Sequence, residues 1–123
     1  MKRRVLIVDD IEFNIEFQMK IIDTITKSRD VDIHVDTANS IADSLEYIDS
    51  NEYDAMIIDM NLPDGSGLEI AKKSREKNKS TKIAALTIYP SEYSEEREYF
   101  DMFLKKPIMM DSYRQNFVEL LDI

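Results

Sequence analysis

Side chains that could do chemistry stand at or just after the ends of four short apolar runs in this sequence. They are three carboxylates, a hydroxyl and an amine, namely Asp9, Asp10, Asp59, Thr87 and Lys106. Crowded carboxylates repel one another unless a cation sits among them, and their hard oxygens select Mg²⁺ or a similar ion such as Mn²⁺. A carboxylate can also be the nucleophile that accepts a phosphoryl group, which an amine and a hydroxyl can bind. If the fold brings them together, these residues predict a divalent-cation site for phosphoryl chemistry.

The residues around Asp59 give the strongest local signal. The apolar run 55–58 is typical of a strand buried on both faces, and it ends at Asp59. A Leu-Pro-Asp-Gly turn follows closely. Taken alone, this pattern fits either a reactive carboxylate at a strand end or an aspartate that caps the turn.

The other apolar segments predict four further strands. Residues 5–8, 83–86 and 102–104 are short continuous apolar runs, whereas residues 31–35 alternate apolar with polar side chains. Alternation favours a strand at the edge of the sheet, where one side meets water. Helices are expected from Ile11 to about Thr26, from Ile41 to Ile48, from about Leu68, from Ser91 to about Tyr99 and from Tyr113 to Leu120.

Alternation of strands with helices along the whole chain predicts an α/β fold with a parallel sheet covered on both sides. Five strands with the second at an edge fit a flavodoxin-like, doubly wound sheet of order 2-1-3-4-5 with five helices. Ligands of such sheets bind outside the carboxyl ends of the strands. The reactive side chains are therefore expected to converge on that edge.

The first helix carries more apolar residues than one buried stripe needs. The expected stripe is Ile11, Ile15, Met19 and Ile22, and the additional residues are Phe13, Phe17 and Ile21. Two interpretations remain open: a wide buried face, or a docking surface for a partner helix.

Composition excludes several classes of function. With 123 residues we expect one domain over residues 1–123, and the formal net charge of −9 would repel nucleic acid. The absence of cysteine excludes disulfides, a thiol nucleophile and a thiolate metal site. No segment is apolar enough to span a membrane, so a cytoplasmic protein without membrane or nucleic-acid partners is expected.

The whole pattern resembles the receiver domain of bacterial two-component response regulators, in particular single-domain receivers of the chemotaxis-regulator kind. The resemblance covers the full chain. It is carried by the Asp-Asp pair after the first strand, Asp59 with its Leu-Pro-Asp-Gly turn, Thr87 ending the fourth strand, and Lys106-Pro107. It implies that a histidine kinase or a histidine phosphotransfer protein phosphorylates Asp59, and that the modified domain contacts a downstream protein. Such a domain catalyses only its own phosphorylation and dephosphorylation, so it is not an enzyme in the usual sense.

The resemblance also implies the metal ligands. Asp10 and Asp59 would bind Mg²⁺ or Mn²⁺ directly, Asp9 would act mainly through water, and Asn61 would contribute its backbone carbonyl. Because the carboxylates repel one another, we expect Asp10→Asn to raise stability when the cation is removed.

The remaining implied roles concern the phosphoryl group and its readout. Thr87 would donate a hydrogen bond to the phosphoryl group, and Lys106 would form an ion pair with it. Lys106 is preferred to Lys105 because the family's lysine directly precedes a proline. The peptide bond between that lysine and the proline is typically cis in the family. Phe103 falls at the position of the family's switch aromatic. Tyr89, two residues beyond Thr87, either shields the phosphoryl group from water or faces solvent.

Three departures from the family pattern affect the surface that usually carries output. Ile88 replaces a small residue after Thr87, no glycine precedes the fifth strand, and the fourth helix is short. An alternative function is therefore a phosphorylation-independent, receiver-like interaction module. A Mg²⁺-dependent phosphatase normally has Asp-x-Asp after the first strand, whereas Ile11 follows the acidic pair here. A nucleotide-binding protein would need a glycine-rich phosphate loop, and none is present.

Overall fold

The apolar runs form the five strands of one parallel sheet. A computed structural model describes residues 2–89 and 97–123. In chain order, the strands are β1 (Lys2–Val8), β2 (Asp32–Ala38), β3 (Ala55–Asp59), β4 (Asn61–Leu62), β5 (Gly65–Ser66), β6 (Lys82–Thr87) and β7 (Met102–Lys105). The main sheet has the order β2-β1-β3-β6-β7, while β4 and β5 form a separate antiparallel hairpin. This is the predicted flavodoxin-like order, with β2 at an edge, so the predicted fold is confirmed.

In the described part of the chain, three α-helices connect successive parallel strands of the main sheet and a fourth follows β7. They are α1 (Glu12–Arg29), α2 (Ile41–Ser50), α3 (Leu68–Lys77) and α4 (Met110–Leu121). The predicted helix from Ser91 to Tyr99 lies mostly outside the described residues, and its described end, 97–99, forms a short 3₁₀ turn. The described part of the chain thus contains four α-helices rather than five. None of them is long and apolar enough to cross a membrane.

The sheet separates two apolar layers. Val5 and Ile7 of β1 belong to the layer beneath α1 and α4, whereas Leu6 and Val8 belong to the layer beneath α2 and α3. All four side chains are at most 1% exposed. Successive residues of a strand point to opposite faces, so burial on both faces explains why the run is continuously apolar.

The predicted buried stripe of α1 is only half right. Ile15 and Ile22 are buried, but Ile11 and Met19 are 50% and 42% exposed. Ile21 is fully buried instead, because that side of α1 faces the apolar layer that α1 and α4 both form with the sheet. Ile11 precedes the helix, which begins at Glu12, and therefore cannot lie on its buried face.

Candidate functional site

The carboxyl ends of three central strands bring the reactive side chains together. Asp9 directly follows β1, Asp59 ends β3 and Thr87 ends β6. Asp59 lies opposite Leu86 in the sheet register. The carboxylates of Asp9, Asp10 and Asp59 each offer an oxygen within 4.8 Å of the others. The predicted convergence of these three carboxylates is therefore present in the structure.

Among the described carboxylates that form ion pairs, Asp59 is the most deeply buried. It is 1% exposed, and its Oδ2 accepts a hydrogen bond from Lys106 Nζ at 2.9 Å. Its Oδ1 accepts a hydrogen bond from the backbone N–H of Asn61 at 3.0 Å. Lys106, rather than the exposed Lys105, reaches this carboxylate. The Lys106–Pro107 peptide bond is cis.

Asp9 is buried without full hydrogen bonding. Its side chain is 0% exposed; Oδ1 accepts a hydrogen bond from the Ile11 N–H at 2.9 Å, while the buried Oδ2 has no partner among the described residues. Burial, reinforced by the charge of Asp59, raises the pKa of Asp9 to about 6. Asp10 beside it is exposed. An unpartnered buried oxygen among three hard donors fits a divalent cation such as Mg²⁺.

Thr87 and Tyr89 stand on the β6 side of the cluster. Thr87 is 2% exposed, and its Oγ1 accepts a hydrogen bond from the Tyr89 backbone N–H at 3.2 Å. The Tyr89 side chain is 61% exposed. Pro90, which could direct that side chain outward, lies outside the described residues. The shielding and solvent-facing alternatives for Tyr89 therefore both stand.

Phe103 packs against an aromatic ring and a guanidinium group from the segment that precedes β7. Its ring centroid lies 5.3 Å from that of Phe100, and the Arg97 guanidinium carbon lies 4.7 Å from the ring centre. Asp101, where a glycine turn is usual in the family, accepts a hydrogen bond from Arg75 of α3 at 2.6 Å. An ion pair to α3 thus anchors the segment that lacks glycine.

Gly67 is a requirement of the site that sequence analysis missed. A Cβ atom there would lie 2.6 Å from Ile58 Cγ2 and 2.7 Å from the Asp59 carbonyl oxygen. Only glycine lets the start of α3 approach the end of β3 this closely. A glycine directly before a helix was the available signal, but its contact with a strand is visible only in three dimensions.

An apolar groove opens beside the carboxylate cluster. Its volume is about 460 Å³, and the residues that line it are Ile11, Phe13, Asn14, Phe17, Ile88, Lys106, Pro107 and Ile108. Phe13 is 72% exposed and stacks on Phe17 with ring centroids 6.3 Å apart. Lys106 lines the groove and also binds Asp59, so the groove is continuous with the site. We call these lining residues the α1 groove.

The comparisons with known proteins agree with this fold and site. The family model of the response regulator receiver domain matches residues 5–117, and this chain belongs to that family. Hybrid signal transduction histidine kinase L of Dictyostelium discoideum is 31% identical over 116 residues. That match covers 85% of this chain but 6% of the kinase, so the chain spans a small part of that relative's length.

Two solved structures illustrate the likeness. A CheY-like response regulator receiver domain from Methylobacillus flagellatus is 28% identical with a TM-score of 0.83, over 98% of this chain and 99% of that one. Response regulator protein TrrA from Thermotoga maritima, solved in complex with Mg²⁺-BeF, is 30% identical with a TM-score of 0.75, over 97% and 99% of the two chains. The predicted family is thereby confirmed.

Proposed function

We propose that this chain is a phosphorylation switch in which Asp59 accepts a phosphoryl group from a histidine kinase or a histidine phosphotransfer protein. The observation that carries the proposal is the setting of the buried Asp59 carboxylate. It pairs with Lys106 at 2.9 Å and lies beside two further carboxylates, one of which has an unpartnered buried oxygen. Family membership supports the same role.

The transfer needs a nucleophile and positive charge at one place. A carboxylate oxygen of Asp59 attacks phosphorus as the bond from phosphorus to the donor's imidazole nitrogen breaks, and the electron pair of that bond returns to the imidazole. The Lys106 ammonium lies on the accepting carboxylate and stabilises charge on the phosphoryl oxygens. The Thr87 hydroxyl, at the end of the neighbouring strand, donates a hydrogen bond to the transferred group.

The same residues offer a place for the cation. Asp9, Asp10 and Asp59, together with the Asn61 backbone carbonyl, would hold Mg²⁺ or Mn²⁺. When bound, the cation supplies positive charge to the phosphoryl oxygens. A relative that was solved with Mg²⁺-BeF lends support to this choice of ion.

Phosphorylation would act as a signal through charge. The new group carries nearly two negative charges at neutral pH, which draws Thr87 toward it and alters the packing around Phe103 on the next strand. Phe103 is half-buried, and a change in its position would alter the surface that a downstream protein contacts. The domain then works as a signalling module rather than as a turnover enzyme.

Intact mass after incubation with acetyl phosphate tests this function directly. We expect one phosphoryl group per chain in the presence of Mg²⁺, and none in EDTA or in Asp59→Asn. The amide of asparagine is a poor nucleophile, while its size keeps the site packed. No mass increase in the wild-type chain, or an increase that persists in Asp59→Asn, would favour the phosphorylation-independent interaction module.

Tyr89 sets the lifetime of the phosphorylated state if its side chain covers the phosphoryl group. Hydrolysis needs a water in line with the Asp59 oxygen, so a bulky neighbour slows the reaction. We expect Tyr89→Ala to dephosphorylate about tenfold faster, equivalent to about 1.4 kcal/mol in the barrier. The decay of the phosphorylated mass after donor removal measures this, and an unchanged or slower decay would rule out the shielding role of Tyr89.

A further inference from the structure

The turn between β4 and β5 is fastened to the start of α2 by one carboxylate. Asp64 Oδ1 accepts a hydrogen bond from the Ile41 N–H at 2.9 Å, and Oδ2 accepts one from the Ala42 N–H at 3.1 Å. These are two of the N–H groups that a helix leaves without intrahelical partners in its first turn. The two bonds also hold the pKa of Asp64 below its usual range. Asp64 therefore caps the start of a helix whose first two residues are 23 and 22 positions away in the sequence.

The neighbouring glycine makes this contact possible. Gly65 has φ +145°, which residues with side chains rarely adopt. A Cβ atom there would lie 2.9 Å from Ile41 Cδ1 and 3.1 Å from a Glu69 carboxylate oxygen. The hairpin turn thus approaches α2 through both a hydrogen-bonded carboxylate and a residue without a side chain.

The other end of the hairpin reaches the carboxylate cluster. Asn61 pairs with Ser66 across β4 and β5, and its backbone N–H donates to Asp59 Oδ1 at 3.0 Å. The hairpin is therefore hydrogen-bonded to Asp59 at its base and to α2 at its turn, and Leu62 of β4 is buried in the layer beneath α2 and α3. A two-stranded ribbon with two residues in each strand has little stability of its own. The position of its turn accordingly depends on the two hydrogen bonds of Asp64.

We infer that Asp64 is a positioning residue for the cation site: by fastening the hairpin turn to the start of α2, it fixes the Asn61 backbone beside Asp59. The inference rests on the proposed function, in which the Asn61 carbonyl is a cation ligand. Asp64 itself touches neither the cation nor the phosphoryl group. Its effect passes through the backbone of the hairpin.

Magnesium affinity of variants, measured by isothermal titration calorimetry on the full chain, tests this role. We expect Asp64→Ala to weaken Mg²⁺ binding by about tenfold, the lower end of what the loss of an outer partner of a metal ligand costs. Asp64→Asn keeps one acceptor oxygen and should fall between the wild type and Asp64→Ala. If the alanine variant folds poorly, the Mg²⁺ affinity of Asp64→Asn relative to the wild type still tests the inference.

Ser40→Ala is the matched control. Ser40 Oγ accepts a hydrogen bond from the Asp43 N–H at 3.1 Å, so its removal also uncaps α2, but without loosening the hairpin. We expect Ser40→Ala to lower the melting temperature and to leave Mg²⁺ affinity unchanged. Equal weakening of Mg²⁺ binding in both variants, or none in Asp64→Ala and Asp64→Asn, would overturn the inference. Absence of Mg²⁺ binding in the wild-type chain would instead contradict the proposed function.

Discussion

Asp9→Asn should stabilise the cation-free protein by about 3 kcal/mol near neutral pH, because each unit by which folding raises the pKa of a carboxyl group costs about 1.4 kcal/mol once that group is ionised. The Asp9 carboxyl is fully buried, and its pKa is raised to about 6 from 3.8. The sign follows from proton binding: between these two values the folded state holds the proton more tightly than the unfolded state does. The free energy of unfolding of the wild type therefore falls as the pH rises from about 4 to about 6, and the destabilisation by the Asp9 charge is complete above that range. Asparagine keeps the acceptor for the Ile11 N–H and carries no charge.

Equilibrium urea unfolding in EDTA, at about pH 4 and about pH 7.5, measures this difference. The stability gained by Asp9→Asn should fall to a small part of its neutral-pH value at the lower pH, where the wild-type carboxyl is largely protonated in the folded state. It should also shrink in saturating Mg²⁺, because binding stabilises the wild-type chain. Asp10→Asn is the matched comparison, and its gain should be smaller because Asp10 is exposed and hydrated. If Asp9→Asn raises the free energy of unfolding equally at both pH values, the stabilisation comes from packing and not from the removed charge.

Phe13→Asp should slow phosphoryl transfer from a protein donor by about 30-fold. This factor corresponds to the loss of about 2 kcal/mol of binding free energy, which is typical when an aromatic side chain at the centre of an interface is removed. Phe13 is 72% exposed at the rim of the α1 groove, which shares Lys106 with the site. Under the proposed function, a protein donor that delivers its phosphoryl group to Asp59 would lie against this rim. Acetyl phosphate reaches the site without such a contact, so its reaction rate should be unchanged.

Met19→Asp provides the control on the same helix. Met19 is an exposed apolar residue of α1, yet it does not line the α1 groove. Rates measured with a phosphorylated histidine phosphotransfer protein should fall for Phe13→Asp and stay at the wild-type value for Met19→Asp. If Phe13→Asp reacts neither with the protein donor nor with acetyl phosphate, the variant has a folding defect. Equal loss with the protein donor in both variants would mean that surface charge, not the groove, controls docking.

Local patterns in the sequence were enough to predict the strands and their polar ends. The runs in β1, β3 and β6 are continuously apolar because both faces of each strand are buried, and burial of this kind is visible in a few consecutive residues. Parallel topology then requires the carboxyl ends to share one edge. The convergence of Asp59 with the Asp-Asp pair needed no further information.

The exposed side of α1 could not be predicted in the same way. Apolar residues occupy a wide arc of this helix, so periodicity alone does not choose between Ile21 and Met19 for the interior. The choice depends on α4, whose contact with α1 joins residues that are far apart in the chain. The sequence therefore left both interpretations of the apolar surface of α1 open, and docking stays a prediction.

Asp9 and Asp10 show most clearly what only the tertiary structure decided. The sequence determined that two carboxylates follow β1, but two identical adjacent residues carry no indication of which one is buried. Because β1 lies between β2 and β3, the first residue past the strand stays within the sheet, where the Asp9 N–H still donates to Ala38 O at 3.0 Å. The next residue leaves the sheet and meets water. Burial, and with it the raised pKa of Asp9, comes from neighbouring strands that are distant in sequence.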